Sequence, residues 1–139
     1  MSYRNKPLIL GINPSFVAFR RNHSLHRLAS WMTVLGYDTY CFSNVIPYEG
    51  KYSHKDVNYD FVRESTRGHD TVIALGGFVS GVLNRCHIDH ITMPHPSPLN
   101  RNLNDKKYER AMLKDMITSV GNIKELRIPS SENMRNNIP

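Results

Sequence analysis

Residues 71–77, Thr-Val-Ile-Ala-Leu-Gly-Gly, join a short apolar run, rich in β-branched side chains, to a pair of glycines. A run of this length without polar alternation predicts a strand covered on both faces, as in a parallel sheet. The glycines turn the chain, and residues 78–85 are predicted to form a short helix. A strand that passes directly into a helix is the unit from which α/β proteins are built.

Strand-like and helix-like segments alternate on either side of this unit. The other predicted strands cover residues 7–12, 38–46 and 90–93. The other predicted helices cover residues 24–35, 55–68 and 104–120. Ser24 and Asn104 are predicted as N-caps, and Phe61 as part of an inward face. The alternation predicts a three-layer α/β/α fold with a four-stranded parallel sheet.

The length and composition predict one cytoplasmic domain. The chain has 139 residues, 40% of them hydrophobic, which suits a single core over residues 1–122 followed by a polar tail over residues 123–139. No apolar run reaches the roughly 20 residues of a membrane span, and the N-terminus has no secretory pattern. Cys41 and Cys86 are expected to be reduced, mostly buried thiols. We expect a monomer.

The charge balance indicates an anionic partner. Lys and Arg number 18 against 12 Asp and Glu, a net charge of +6. On a small domain this surplus gives a positive potential that attracts polyanions such as nucleic acid, although charge alone does not identify one.

Three polar turns follow predicted strands. Gly11-Ile12-Asn13-Pro14-Ser15 follows the first strand, Asn44 ends the second, and His95-Pro96-Ser97-Pro98 follows the fourth. The carboxyl ends of parallel strands share one edge of the sheet, where ligands of such folds bind. The prolines hold His95 and Ser97 in a fixed loop. The sequence therefore predicts a site at this edge.

These turns resemble the motifs of the uracil-DNA glycosylase superfamily. Gly11-Ile12-Asn13-Pro14-Ser15 is similar to its first motif, in the Gly-x-Asn-Pro form of the mismatch-specific and single-strand-selective branches. His95-Pro96-Ser97-Pro98-Leu99 is similar to the second motif, and the strand ending at Asn44 resembles the one that carries the base-reading asparagine. Order and spacing match over roughly residues 7–120, although Ser15 stands where a glycine often follows the proline.

The resemblance implies a DNA glycosylase that removes uracil, or a 5-substituted uracil, flipped out of DNA. Asn13 would orient the attacking water, and His95 would stabilise the negative charge on the departing base. Asn44 would read the base edge. The remaining substrate-binding residues would be Gly11, Ile12, Pro14, Ser15 and the stacking aromatic Phe16, with Phe19 as an alternative. The DNA contacts would come from Ser97, from Leu99 as a wedge in the base stack, and from Arg101.

The cysteines and histidines of the chain bear on whether a metal or cofactor is expected, and other functions remain compatible with the sequence. Cys86-His87 with His90, and His23 with His26, do not supply four ligands at a familiar spacing, so no metal is expected. Two cysteines are too few for an iron–sulfur cluster, and no cofactor is expected. A nuclease that nicks beside uracil or an abasic sugar on the same scaffold, and a module that binds damaged or single-stranded DNA without turnover, remain alternatives.

Overall fold

The computed structural model describes residues 6–13, 23–50, 52–96 and 105–127, and for residues 23–25 and 122–127 it describes the backbone alone. In chain order the elements are β1 (Leu8–Gly11), α1 (His23–Val34), β2 (Cys41–Asn44), a short 3-10 helix (His54–Asp56), α2 (Tyr59–Thr66), β3 (Val72–Leu75), α3 (Gly77–Arg85), β4 (Ile91–Met93) and α4 (Lys106–Arg127).

The four strands form one parallel sheet in the order β2-β1-β3-β4. Leu8 pairs with Cys41 and Gly11 with Asn44, while Ile9 pairs with Ile73 on the other side of β1. The predicted four-stranded parallel sheet is confirmed. The strands begin and end in register, so their carboxyl ends lie together at one edge, which we call the carboxyl edge.

One face of the sheet is covered by α1 and α4. The side chains of Ile9, Ile73 and Met93 are fully buried there. They pack against apolar residues of the two helices and of the turn after α1, namely Leu28, Trp31, Met32, Leu35, Tyr37, Met116 and Val120. The indole of Trp31 donates a hydrogen bond of 2.8 Å to Glu109, so the two helices are also joined by a polar contact.

The opposite face is covered by α2 and α3. Alternate strand residues point this way because successive side chains of a strand face opposite sides. Leu8, Leu10, Val72 and Ala74 of the strands pack against Val45, Ile46, Val57, Val62, Val79, Val82 and Leu83. The apolar layers on both faces confirm the three-layer arrangement.

Several predicted details differ from the structure. The segment predicted as one helix over residues 55–68 divides into the 3-10 helix and α2, because Asn58 interrupts it as an N-cap that accepts a hydrogen bond from the amide of Phe61. Phe61 itself is 44% exposed rather than inward, since α2 turns Val62 to the sheet. Helix α1 begins at His23, so Ser24 lies within it.

The last helix differs at both ends. Asp105 accepts a hydrogen bond of 2.9 Å from the amide of Lys107 and so acts as the cap; Asn104, the predicted cap, lies outside the described residues. The helix continues through Gly121 to Arg127, so residues 123–127 of the predicted tail are helical. Most residues after Gly121 are good helix formers, and a single glycine costs only about 1 kcal/mol.

Both cysteines are free thiols, as expected, but Cys41 and Cys86 are half-buried rather than mostly buried. Within the described ranges, no helix combines the length and the apolar character needed to cross a membrane.

Candidate functional site

The pairing between β1 and β2 continues beyond the last strand residues. The amide of Val45 donates to the carbonyl of Gly11 at 3.0 Å, and the amide of Ile46 donates to the carbonyl of Ile12 at 2.9 Å. The backbone that carries Asn13 therefore runs beside the backbone that follows Asn44. The two predicted asparagines are held at neighbouring positions of the carboxyl edge by main-chain hydrogen bonds.

The missing side chain of Gly11 leaves room for the side chain of Asn44. A methyl group on Gly11 would lie 2.9 Å from Oδ1 of Asn44 and 3.2 Å from the ring of Phe42. Real Cβ atoms do not approach an oxygen this closely, so only glycine lets the amide lie against the strand. The glycine of the first motif thus leaves the space that the side chain of Asn44, at the end of the second strand, occupies.

The amide of Asn13 is oriented by the loop after β2. Its Nδ2 donates a hydrogen bond of 2.9 Å to the carbonyl of Gly50. Since a backbone carbonyl can only accept, the amide nitrogen must face the loop and Oδ1 must point elsewhere. Gly50 has a φ of +120°, a backbone conformation that favours glycine. Asn13 is half-buried and offers one oriented acceptor.

His95 lies at the other half of the carboxyl edge. The amide of Gly76, just after β3, donates a hydrogen bond of 2.7 Å to the carbonyl of Met93. A Cβ at Gly76 would lie 4.0 Å from Cβ of His95, so the glycine turn and the histidine are in contact distance of each other. Although part of the His95 side chain is exposed, partial burial lowers its pKa below the ordinary value and favours the neutral imidazole.

The structure therefore brings Gly11, Ile12, Asn13, Asn44 and His95 to the same edge of one sheet. Neutral amides and a neutral imidazole of this kind can orient water and donate hydrogen bonds, but they cannot act as strong bases. The remaining predicted site residues lie outside the described residues; these are Pro14, Ser15, Phe16, Phe19, Ser97, Leu99 and Arg101.

A cavity of about 260 Å³ opens beside β2 and was not expected from the sequence. It is lined by Ser43, Asn44, Val45, Ile46, Pro47, Asn58 and Phe61. Its volume is just below the range of about 300–1,000 Å³ typical of small-molecule sites. Asn58 was detectable as a helix cap, but nothing in the sequence indicated that the helix would leave Phe61 at a cavity mouth.

A chain of side-chain hydrogen bonds joins α3 to β4. His90 Nδ1 lies 2.8 Å from the carbonyl of Ile88, which can only accept, so this nitrogen carries the proton. His90 Nε2 then accepts from the hydroxyl of Ser80 at 2.7 Å, and Thr92 donates to Ser80 at 3.0 Å. Both ring nitrogens of His90 are engaged, so His90 is not available to join Cys86 and His87 as a metal ligand.

Metal ligands are not grouped in the part of the chain that the structure describes. No three His, Cys, Asp or Glu side chains there lie together in a way that could hold a metal ion. The chemistry available at the carboxyl edge is that of oriented amides, a neutral imidazole and backbone groups.

Comparison with models of protein families, with curated proteins and with solved structures found no match to this chain. The resemblance to the glycosylase superfamily rests on the motifs of the chain, and what the carboxyl edge can do has to be argued from its own residues.

Proposed function

We propose that the protein is a DNA glycosylase that hydrolyses the N-glycosidic bond of uracil, or of a 5-substituted uracil, extruded from DNA. The observation that supports this proposal is that Asn13, Asn44 and His95 follow or end strands β1, β2 and β4 of one parallel sheet and so share its carboxyl edge. The net charge of +6 supports DNA as the partner. We further propose that the protein works as a cytoplasmic monomer.

The proposed reaction breaks the bond between C1′ of the sugar and N1 of the base. The sugar becomes oxocarbenium-like, the base departs with negative charge shared between N1 and O2, and a water oxygen adds to C1′ while its surplus proton passes to solvent. Asn13 would accept a hydrogen bond from this water through Oδ1, because Nδ2 is bound to Gly50. An amide does not remove a proton, so its contribution is to hold the water in line with the breaking bond.

His95 would donate a hydrogen bond to O2 as the charge develops there. A neutral imidazole has one N–H donor, and the lowered pKa of His95 favours this form at neutral pH. One preorganised donor of this kind is worth about 10²–10³ in rate.

Asn44 would select the base by its edge. An amide can donate to O4 of uracil and accept from N3–H, whereas cytosine presents the reverse pattern. The Asn44 amide lies against Gly11, where a larger residue would displace it. In this proposal Leu99 enters the space left by the extruded base, with Ser97 and Arg101 on the neighbouring phosphates.

The experiment is a gel assay on a labelled oligonucleotide that contains one uracil, with protein prepared from a host lacking its own uracil-DNA glycosylases. We expect strand breaks only after hot alkali, which cleaves the abasic product. Breaks without alkali that EDTA abolishes would support the nicking nuclease instead. Binding of the oligonucleotide without any break would support the non-catalytic module, and either result would overturn the proposal.

Two substitutions assign the roles. Asn13→Ala and His95→Ala should each lower turnover by about 100-fold or more while DNA affinity changes little. Asn84→Ala and His26→Ala alter exposed helical residues of the same types and should leave turnover unchanged. Equal losses of turnover and affinity at Asn13 or His95 would contradict a catalytic role.

A further inference from the structure

An aromatic surface made by Tyr52, His54 and Phe78 lies beside the candidate site. The rings of Tyr52 and Phe78 meet edge to face, with centroids 4.8 Å apart and planes at 72°. The imidazole of His54 stacks on the same phenylalanine at 4.7 Å and 29°. Phe78 thus holds two rings from the loop after β2, and Tyr52 remains 48% exposed.

This surface is attached to the candidate site at two points. Tyr52 follows by two residues Gly50, whose carbonyl binds the amide of Asn13. Phe78 follows by two residues Gly76, which lies next to His95. The aromatic surface therefore belongs to the same edge of the sheet, and a polymer whose one unit occupies the site would bring a neighbouring unit toward it.

Described residues on both sides of Tyr52 are joined by hydrogen bonds to one carboxylate. Asp56 accepts hydrogen bonds from the amide and the hydroxyl of Ser53, at 3.0 and 3.1 Å, and from the hydroxyl of Tyr48. The bond from Tyr48 lowers the pKa of Asp56, so the carboxylate stays charged and keeps its donors. The residue after Tyr52 is thereby anchored, and the Tyr52 ring already contacts Phe78 before a ligand arrives, which reduces the entropy lost on binding.

Two cationic side chains, Arg85 and Lys55, lie near the aromatic surface. Arg85 donates to the hydroxyl of Tyr59 at 3.3 Å, and this hydroxyl lies 3.2 Å from Nδ1 of His54. Lys55 follows His54 and is exposed. Aromatic rings with cations beside them are what proteins use to bind single-stranded nucleic acid without regard to sequence, because every base has a face to stack and every unit a phosphate.

We propose that the aromatic surface binds single-stranded DNA next to the target nucleotide, with a flanking base stacked on Tyr52 and backbone phosphates near Lys55 and Arg85. The choice of DNA as the ligand rests on the proposed function. The surface favours single strands because the bases of a duplex are already stacked on one another and cannot offer a free face.

The test measures fluorescence anisotropy of a labelled, uracil-free oligothymidylate of about 15 nucleotides, alone and as a duplex with oligoadenylate. We expect the protein to bind the single strand more tightly than the duplex. Tyr52→Ala should weaken binding of the single strand by about 5-fold or more, the lower end for loss of one stacked base, and Tyr52→Trp should retain it. Tyr108→Ala removes a tyrosine of similar exposure on α4 and should have no effect.

Equal affinity for single strand and duplex, or equal effects of Tyr52→Ala and Tyr108→Ala, would overturn the inference, as would absence of binding by the unmodified protein. Thermal unfolding of each variant shows that a loss of binding is not a loss of fold. Because the probe contains no uracil, the result is independent of base removal. Tyr52-dependent binding without glycosylase activity would contradict the proposed function alone, and activity without Tyr52-dependent binding would contradict this inference alone.

Discussion

At the scale of single residues, the side-chain amide of Asn13 is oriented by the hydrogen bond of 2.9 Å that its Nδ2 donates to the carbonyl of Gly50. We predict that Asn13→Asp lowers turnover instead of raising it, although a carboxylate is the stronger base. One carboxylate oxygen would face the Gly50 carbonyl oxygen, and this repulsion turns the side chain away from its place. Loss of the hydrogen bond should cost about 1 kcal/mol of unfolding free energy.

The measurement for this variant pairs urea unfolding with the rate of uracil release. Asn13→Ala removes the hydrogen bond without adding charge, so it should be less destabilising than Asn13→Asp. An aspartate variant as stable as the unmodified protein and faster in base removal would contradict the orientation assigned to Asn13.

Gly11 is predicted to control selectivity through Asn44. Gly11→Ala places a methyl group 2.9 Å from Oδ1 of Asn44, too close for an ordinary contact, so the amide must shift. Because Oδ1 is the far end of a flexible side chain that can yield, we expect a loss of unfolding free energy below the roughly 1–3 kcal/mol of overpacked sites, together with a smaller preference for uracil over cytosine in oligonucleotide assays. Gly81→Ala in α3 meets no atom within 4 Å and should be neutral or stabilising. Unchanged selectivity in Gly11→Ala would count against Asn44 as the base reader.

The pH dependence of stability is predicted from His95. Burial lowers its pKa from the ordinary 6.5, so well above pH 6.5 both folded and unfolded chains carry the neutral ring. As the pH falls below 6.5, the unfolded chain takes up a proton that the folded chain resists, and stability decreases until the folded pKa is passed. Urea unfolding from pH 8 to 5 should show a steeper loss for the unmodified protein than for His95→Gln. Parallel curves for the two proteins would show that His95 is not the group concerned.

At the scale of elements, the sequence predicted the sheet well because a buried parallel strand carries its own signal. Val72–Leu75 is apolar throughout, so burial on both faces could be inferred from the residues alone. Helix α2 was less predictable. Val62 and Phe61 are adjacent apolar residues, and only the packing of the helix on the sheet determines that the first is buried and the second exposed.

The same limit applied to the candidate site. The turns at Asn13 and His95 were predictable because motifs and strand ends coincide in sequence. The hydrogen bond from Asn13 to Gly50 and the contact of Phe78 with Tyr52 and His54 were not, since they join loops whose partners are far apart in the chain. Local patterns specify elements, whereas contacts between loops depend on how the elements are assembled.

The hydrogen-bond chain of Thr92, Ser80 and His90 is predicted to fasten α3 to the edge strand β4. Ser80→Ala removes both of these bonds and should lower the unfolding free energy by about 1–2 kcal/mol, since one such bond usually contributes about 1 kcal/mol. Thr92→Val removes only the outer bond and should cost less. Neither variant should alter uracil release, because these hydrogen bonds join α3 to β4 and none of them involves a residue assigned to the reaction. A large loss of activity in a stable Ser80→Ala protein would show that these hydrogen bonds have a chemical role.

At the scale of the whole molecule, the net charge of +6 acts together with the local cations of the aromatic surface. Each phosphate neutralised on a single strand releases about 0.7 of a counterion, so a fourfold rise in salt costs about 2.6-fold in affinity per phosphate. For about three phosphates, binding of the oligothymidylate should weaken by about 20-fold between 50 and 200 mM NaCl.

If the charge acts only as a diffuse field, any surface lysine should matter equally. If it acts at the aromatic surface, Lys55→Glu should reduce the slope of log affinity against log salt by about 0.7 or more, whereas Lys114→Glu on α4, also exposed, should change it little. Anisotropy titrations at four salt concentrations distinguish the two cases, and equal slopes for the two variants would mean that the protein attracts DNA without directing it to the carboxyl edge.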